Sequence, residues 1–204
     1  MMAYKFLRSG RTGPFSAFQW PEPGVWVHAA GDLAACKRGI HACRPGDLPW
    51  WLADELWKIE LDGHVRVDEH KIIAPAGRLR SQIDGWTPTC AQEYADACAW
   101  RTQERAVQAL TRAGHRHAAR QLATCATLDD ALVAARQLAE DIPETRISLT
   151  IAGDGAVRAL TGAPPTTAYI AAHAAMRLDG PAGYAAERAW QSHWLLERLS
   201  LRAP

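Results

Sequence analysis

Lysine is scarce in this chain of 204 residues: Lys5, Lys37, Lys58 and Lys71 are the only four among 23 lysines and arginines. With the abundant alanine, that balance reads as a GC-rich coding bias and not as an arginine-rich binding surface. Charge of one sign is also missing. The net charge is +1, so no global field draws nucleic acid or an anionic membrane. The five cysteines are odd in number and none has CxxC spacing, which excludes a disulfide framework and leaves reduced thiols. Met1 to Phe6 runs into strand-like sequence with no apolar leader, and no apolar run approaches a membrane span, so a cytosolic protein without a membrane segment is expected. There is no P-loop, no GxGxxG and no nucleophile elbow. Cys36, His41 and Cys43 lack a recognisable zinc spacing, so no metal is expected.

Against these absences stand nine tryptophans: Trp20, Trp26, Trp50, Trp51, Trp57, Trp86, Trp100, Trp190 and Trp194. Each brings a large apolar area and an N–H that wants a partner. They read either as an aromatic core or as an aromatic-lined pocket. The most densely patterned stretch is Arg38 to Gly63. A short apolar run from Ile40 to Cys43 leads into Arg44-Pro45-Gly46-Asp47. Asp47 is a natural cap for a short helix with Pro49 early in it. The strand 57–61 then alternates, with Trp57, Ile59 and Leu61 on one face and Lys58 and Glu60 on the other.

Around this stretch, 4–7, 25–28, 65–67, 72–74 and 78–83 read as strands. The composition changes at Trp86. Thr87-Pro88 opens a helix to about Ala113, a second segment covers 115–125, and Thr127 with Asp130 caps a third that ends before Pro143. Arg146 to Ala152 alternates and reads as a strand closed by Gly153-Asp154-Gly155. Thr167 to Leu178 and Pro181 to Leu199 form an alanine-rich antiparallel pair about a turn at 179–181. The expected class is α+β: a small mixed or antiparallel sheet with a short helix, in 1–85, packed on a C-terminal helical bundle, 86–204, across a broad shared interface whose groove is the default site.

Candidate residues follow from this layout. Arg44 at a helix N-terminus suits an anion, with Lys5, Arg8 and Arg38 able to converge on it. A capped helix with a solvated arginine is the bland alternative. Cys43 beside His41 reads as a buried strand cysteine more readily than as a lowered-pKa thiol. Glu60, Glu69 and His41 are acid–base candidates. Trp50 and Trp51 are consecutive, so one must leave the face of the other. Tyr169 and His173 lie one turn apart near the C-terminus, where His193 is a further candidate.

The run YKFL…RGIHACR…LWKIELDG…KIIAPAGRL, over about 4–83, resembles an uncharacterised bacterial domain family in which a G-[IFV]-H-[AF]-C step precedes a short helix, an [IV]-E-[LV]-x-G strand and a K-[IV]-x-A strand. The C-terminal AAHAA and GYAAERAWQSHWLLERL are similar to tails in the same group. The chain is more distantly similar to the ADP-ribosyltransferase fold. Tyr4 to Arg8 takes the place of its NAD-contacting first strand, and Gly39 to Cys43 that of its G-I-Y-F-A step. Glu69 stands for the glutamate that polarises the nicotinamide ribose. His41 in place of tyrosine, the lack of His-Gly-Thr and the turn position of Glu69 depart from that pattern. The resemblance implies NAD, or another nucleotide-like anion, held by Lys5, Arg8, His41 and Arg44. Two other readings stay open. One is a tailoring or resistance enzyme whose tryptophan-lined pocket takes a small aromatic or hydrophobic substrate, with His41, Glu60, His173 or His193 as acid–base groups. The other is a non-catalytic, immunity-type accessory protein.

Overall fold

The structure, a computed structural model, describes residues 1–34 and 37–201; Cys36 lies outside them. The fold is α+β. The chain divides into two compact units. One is residues 1–88 together with the described residues from Ser192 onward, and the other is residues 89–191.

The first unit holds two antiparallel sheets. In the larger, β1 (Met2–Leu7), β2 (Val27–His28), β4 (Glu55–Asp62) and β7 (Ala76–Gln82) lie in the order β1-β4-β7-β2. In the smaller, β3 (Ile40–Ala42), β5 (Arg66–Asp68) and β6 (Lys71–Ala74) lie in the order β3-β6-β5. The sheet expected as one is therefore two. They meet where Tyr4 and Cys43 exchange backbone hydrogen bonds of 2.9 and 2.8 Å. The alternation of β4 reports its two faces correctly. Trp57, Ile59 and Leu61 enter a core with Ala3, Leu7, Ile40, Ala42, Ile72, Ala74 and Leu79, while Lys58 is exposed. Register shifts between Lys58 and Ile59, which pair with Ser81 and Leu79, so Arg80 bulges out of β7. On the opposite face Phe6 meets Trp86 edge-on at 5.4 Å, and the Trp86 indole donates to the Ala53 carbonyl at 2.8 Å. The short helix after Arg44 is a 3-10 turn, Pro45–Trp50; Pro45 at its start costs no helical bond, but Pro49 has no amide to give an i−4 carbonyl, and so short a segment has few others.

The second unit is helical: α1 (Pro88–Arg112), α2 (Arg116–Ala123), α3 (Leu128–Asp141), α4 (Arg146–Leu160) and most of α5 (Pro164–Arg198). Thr127 caps α3 as its sequence predicts, its hydroxyl accepting from the Asp130 amide at 3.1 Å. Cys90 and Cys98 are buried on one face of α1, in keeping with their eight-residue spacing.

The strand expected at 146–152 is instead the first half of α4. Its β-branched Ile147, Thr150 and Ile151 mimic a strand, but Leu149, Ala152, Ala156 and Ala159 are the residues buried, and that spacing is helical. Gly155 is no turn residue. A Cβ there would lie 3.2 Å from the Thr102 hydroxyl, so glycine is what lets α4 approach α1.

α5 breaks at Gly180, whose φ of 67° and ψ of −158° belong to glycine. The two arms fold back on each other. Gln191 donates to the Ala168 carbonyl at 2.9 Å, and the rings of His173 and Tyr184 are 5.5 Å apart. In a straight helix Gln191 and Ala168 would be roughly 35 Å apart. The antiparallel pair expected about 179–181 is present.

Candidate functional site

A cavity of about 760 Å³ opens in the first unit, within the size range of small-molecule sites. Its walls come from β1, the loop 13–20, the end of β2, the segment 37–43 leading through β3, Trp51 and Lys71. The lining is mostly apolar and aromatic, with Phe6, Phe15, Phe18, Trp20, Ile40 and Trp51 among it. The charged residues lining it are all basic: Lys5, Lys37, Arg38 and Lys71, joined by His28 and His41. No aspartate or glutamate is among the described lining residues.

Lys5 occupies an unusual place. Along β1 its neighbours at i−2 and i+2, Ala3 and Leu7, are both in the core, and the period of two puts Lys5 on that same face. Its cross-strand partner is Trp57, another core residue. The ammonium is held by the His41 carbonyl at 2.5 Å and lies 5.3 Å from the Trp20 ring centroid. Burial pulls its pKa down from 10.5 to about 8, against a smaller opposing influence of Cys43. Burial also lowers His41, and the charges of Lys5 and Lys71 lower it further, so its ring favours the neutral form. The Cys43 thiol is pushed far up by burial and by Asp47 and its sulfur contacts the Tyr4 carbonyl at 3.5 Å. It is a packed wall, not a thiolate.

Of the residues singled out by sequence, Lys5, His41 and Trp51 line this cavity, as does Arg38. Arg44, Trp50 and Glu69 gather elsewhere, in a cluster that fastens the β5–β6 turn to the 3-10 turn. Arg44 donates to Asp47 at 2.5 Å and to the Glu69 carbonyl at 2.8 Å. Trp50 stacks on His70 with centroids 4.0 Å apart, and the Trp51 indole donates to the His70 carbonyl at 2.6 Å. The arginine that suited an anion thus has a carboxylate and a carbonyl already. The Glu69 side chain is 84% exposed. Glu60 is held by Arg78 at 2.9 Å and Arg80 at 3.4 Å, with Arg78 over the Trp26 ring. Arg8 is exposed, its backbone paired with Thr12. The rings of Tyr169 and His173 meet at a tilt of 44° in the second unit, with centroids 4.2 Å apart. His193 pairs with Glu197 at 3.1 Å on an exposed surface.

Most tryptophans are structural: Trp20, Trp57 and Trp86 are buried, Trp26 and Trp190 lie under arginines, and only Trp20 and Trp51 reach the cavity. Trp20 was named in the sequence among tryptophans that form a core or a pocket, whereas His28, Phe15, Phe18 and Lys71 were passed over as site residues. One signal was readable: a lysine at the middle of an apolar i, i+2, i+4 set in β1.

Among the described residues no group of three or more histidine, cysteine, aspartate or glutamate side chains could hold a metal, and no helix is long and apolar enough to cross a membrane. No protein-family model, curated protein or solved structure matches the chain.

Proposed function

We propose that the chain binds a small aromatic anion in the cavity of the first unit. The observation that carries this reading is the combination of apolar walls with charged groups of one sign. An apolar cavity strengthens each electrostatic contact, and a buried cation is costly unless it is paired. Lys5, with a carbonyl but no carboxylate from the lining, is best satisfied by an anionic group on the ligand. The aromatic walls take the ligand's body, and Lys5, Lys71 and His41 take its charged end.

The test is calorimetric titration and thermal shift with aromatic carboxylates, aromatic phosphates and neutral aromatics of matched shape. Anions should bind, and Lys5→Met should weaken them by roughly 10–100-fold, the value of a charge-assisted hydrogen bond. Neutral analogues binding as tightly as the anions would sink the proposal.

A second reading keeps NAD as the anion. It is favoured by one observation: the two segments that resemble the NAD-contacting parts of ADP-ribosyltransferases, Tyr4 to Arg8 and Gly39 to Cys43, pair through Tyr4 and Cys43 and contribute Lys5 and His41 to one cavity. NAD belongs in the same titration panel, and a Lys5-dependent response to NAD above that to simple aromatic anions would select it.

A further inference from the structure

We propose that Lys5 reacts covalently with its ligand, its ε-amine condensing with the aldehyde or ketone carbonyl of an aromatic anion to form an imine. This rests on the reading of the cavity as an aromatic-anion site and names the substrate class: an aromatic oxo acid or carboxylated aromatic aldehyde.

Lys5 stands on the core face of β1 between Ala3 and Leu7 and opens onto the cavity. The other lysines differ: Lys37 and Lys58 are exposed, and Lys71 is paired with Asp68 at 3.4 Å. A lysine desolvated in an apolar pocket is the kind that serves as a carbonyl nucleophile. One N–H given to the His41 carbonyl fixes the nitrogen, and in the neutral amine the lone pair stays available for attack. The lining residues supply no carboxylate to hold the group as ammonium.

In the step itself the nitrogen lone pair attacks the carbonyl carbon, and the C=O π pair moves to oxygen. A proton passes from nitrogen to that oxygen, giving a carbinolamine. Loss of the hydroxyl as water, with a second proton, forms the C=N bond. The balance is amine plus carbonyl to imine plus water, and no oxidant or reductant is needed. His41 lines the same cavity and, with its ring held towards the neutral form, can accept and return these protons. Once the Lys5 amine is neutral, Lys71 and Arg38, which line the same cavity, hold the ligand's carboxylate in its place and present the carbonyl to Lys5. The titratable and charged groups on the cavity are His28 of β2, Lys37 and Arg38, His41 of β3, Cys43 after it, Tyr4 of β1 and Lys71 of β6.

The experiment uses the full chain with 4-carboxybenzaldehyde and sodium cyanoborohydride at pH 7.5, read by intact mass and by fragment spectra that separate Lys5 from the Met1 amine. In parallel, 4-methylbenzoate, which has no carbonyl to trap, is titrated by calorimetry. With a pKa of about 8, Lys5 carries on the order of a hundredfold more neutral amine than an ordinary lysine, so an adduct at Lys5 is expected at least about tenfold above Lys37, Lys58 and Lys71; any excess over the Met1 α-amine comes from the cavity's hold on the ligand and not from neutral-amine content. The yield at Lys5 should rise from pH 6 to 8 and then level off. Lys5→Arg, checked for folding by circular dichroism, should lose it. If 4-methylbenzoate binds but adducts spread over the other amines with none favoured at Lys5, the covalent step is overturned and the anion site stands. If neither compound engages the protein, both fall together.

Discussion

Glu187 in the helical unit and Lys5 in the sheet unit are both ionisable groups withdrawn from bulk water, and the two units handle them differently. Glu187 is fully buried and takes Arg101 at 2.7–2.9 Å and Arg105 at 3.5 Å. Arg101 in turn lies 4.1 Å over the Trp190 ring. Every charge there has a partner of opposite sign, and the cluster ties α1 to the second arm of α5. Lys5 has a carbonyl and an aromatic ring but no carboxylate among the residues lining its cavity. A buried charge with its partners in place is architecture. A half-buried charge facing an open volume that lacks the opposite sign is the one that invites a ligand.

The largest effect is expected at Glu187. Replacing it with alanine strands two guanidinium groups, and should cost about 3–5 kcal/mol, read by urea unfolding. A cost below about 1 kcal/mol would mean the cluster is not the anchor described. The next effect separates the two sites by pH. Anion affinity at Lys5 should be full below about pH 8 and fall as pH rises through it, by up to about tenfold per unit. Lys5→Arg, which stays charged, should flatten that slope in a calorimetric series. The same depressed pKa works against stability in the free protein. As pH drops from 10.5 to about 8 the unfolded lysine takes up its proton before the folded one, so stability falls across that window and is level below it. The smallest effect is expected at Glu69, whose side chain is exposed. Glu69→Gln should leave stability within about 0.5 kcal/mol and aromatic-anion affinity unchanged. Should NAD prove to be turned over, loss of that turnover in Glu69→Gln would return the residue to the site.

Where local pattern decided the outcome, it was legible. The alternation of β4, the Thr127 cap, Pro88 at the start of α1 and the break at Gly180 are each set by neighbours a few residues away. At 146–160 two local signals competed. β-branched residues and two glycines read as strand and turn, while the burial of Leu149, Ala152, Ala156 and Ala159 reflects packing against α1 and α3 that no local window contains. The site was less legible still. Its walls come from six separate stretches between Tyr4 and Lys71, and Arg44, chosen for its place at a helix start, is consumed by Asp47 and the Glu69 carbonyl. Lys5 and His41 were named in the sequence for other reasons, Lys5 as a cation able to converge on Arg44 and His41 as an acid–base group, and both through the resemblance of their segments.

The grouping of the last described residues with the first 88 bears on the order of events during synthesis. The Ser192 hydroxyl donates to the Gly46 carbonyl at 2.6 Å, and Leu199 lies against Gly85. The helical unit is one unbroken run of chain and has all its parts once residue 191 has left the ribosome. The sheet unit, although made first, has all its packing partners only after the final turns of α5 have been synthesised.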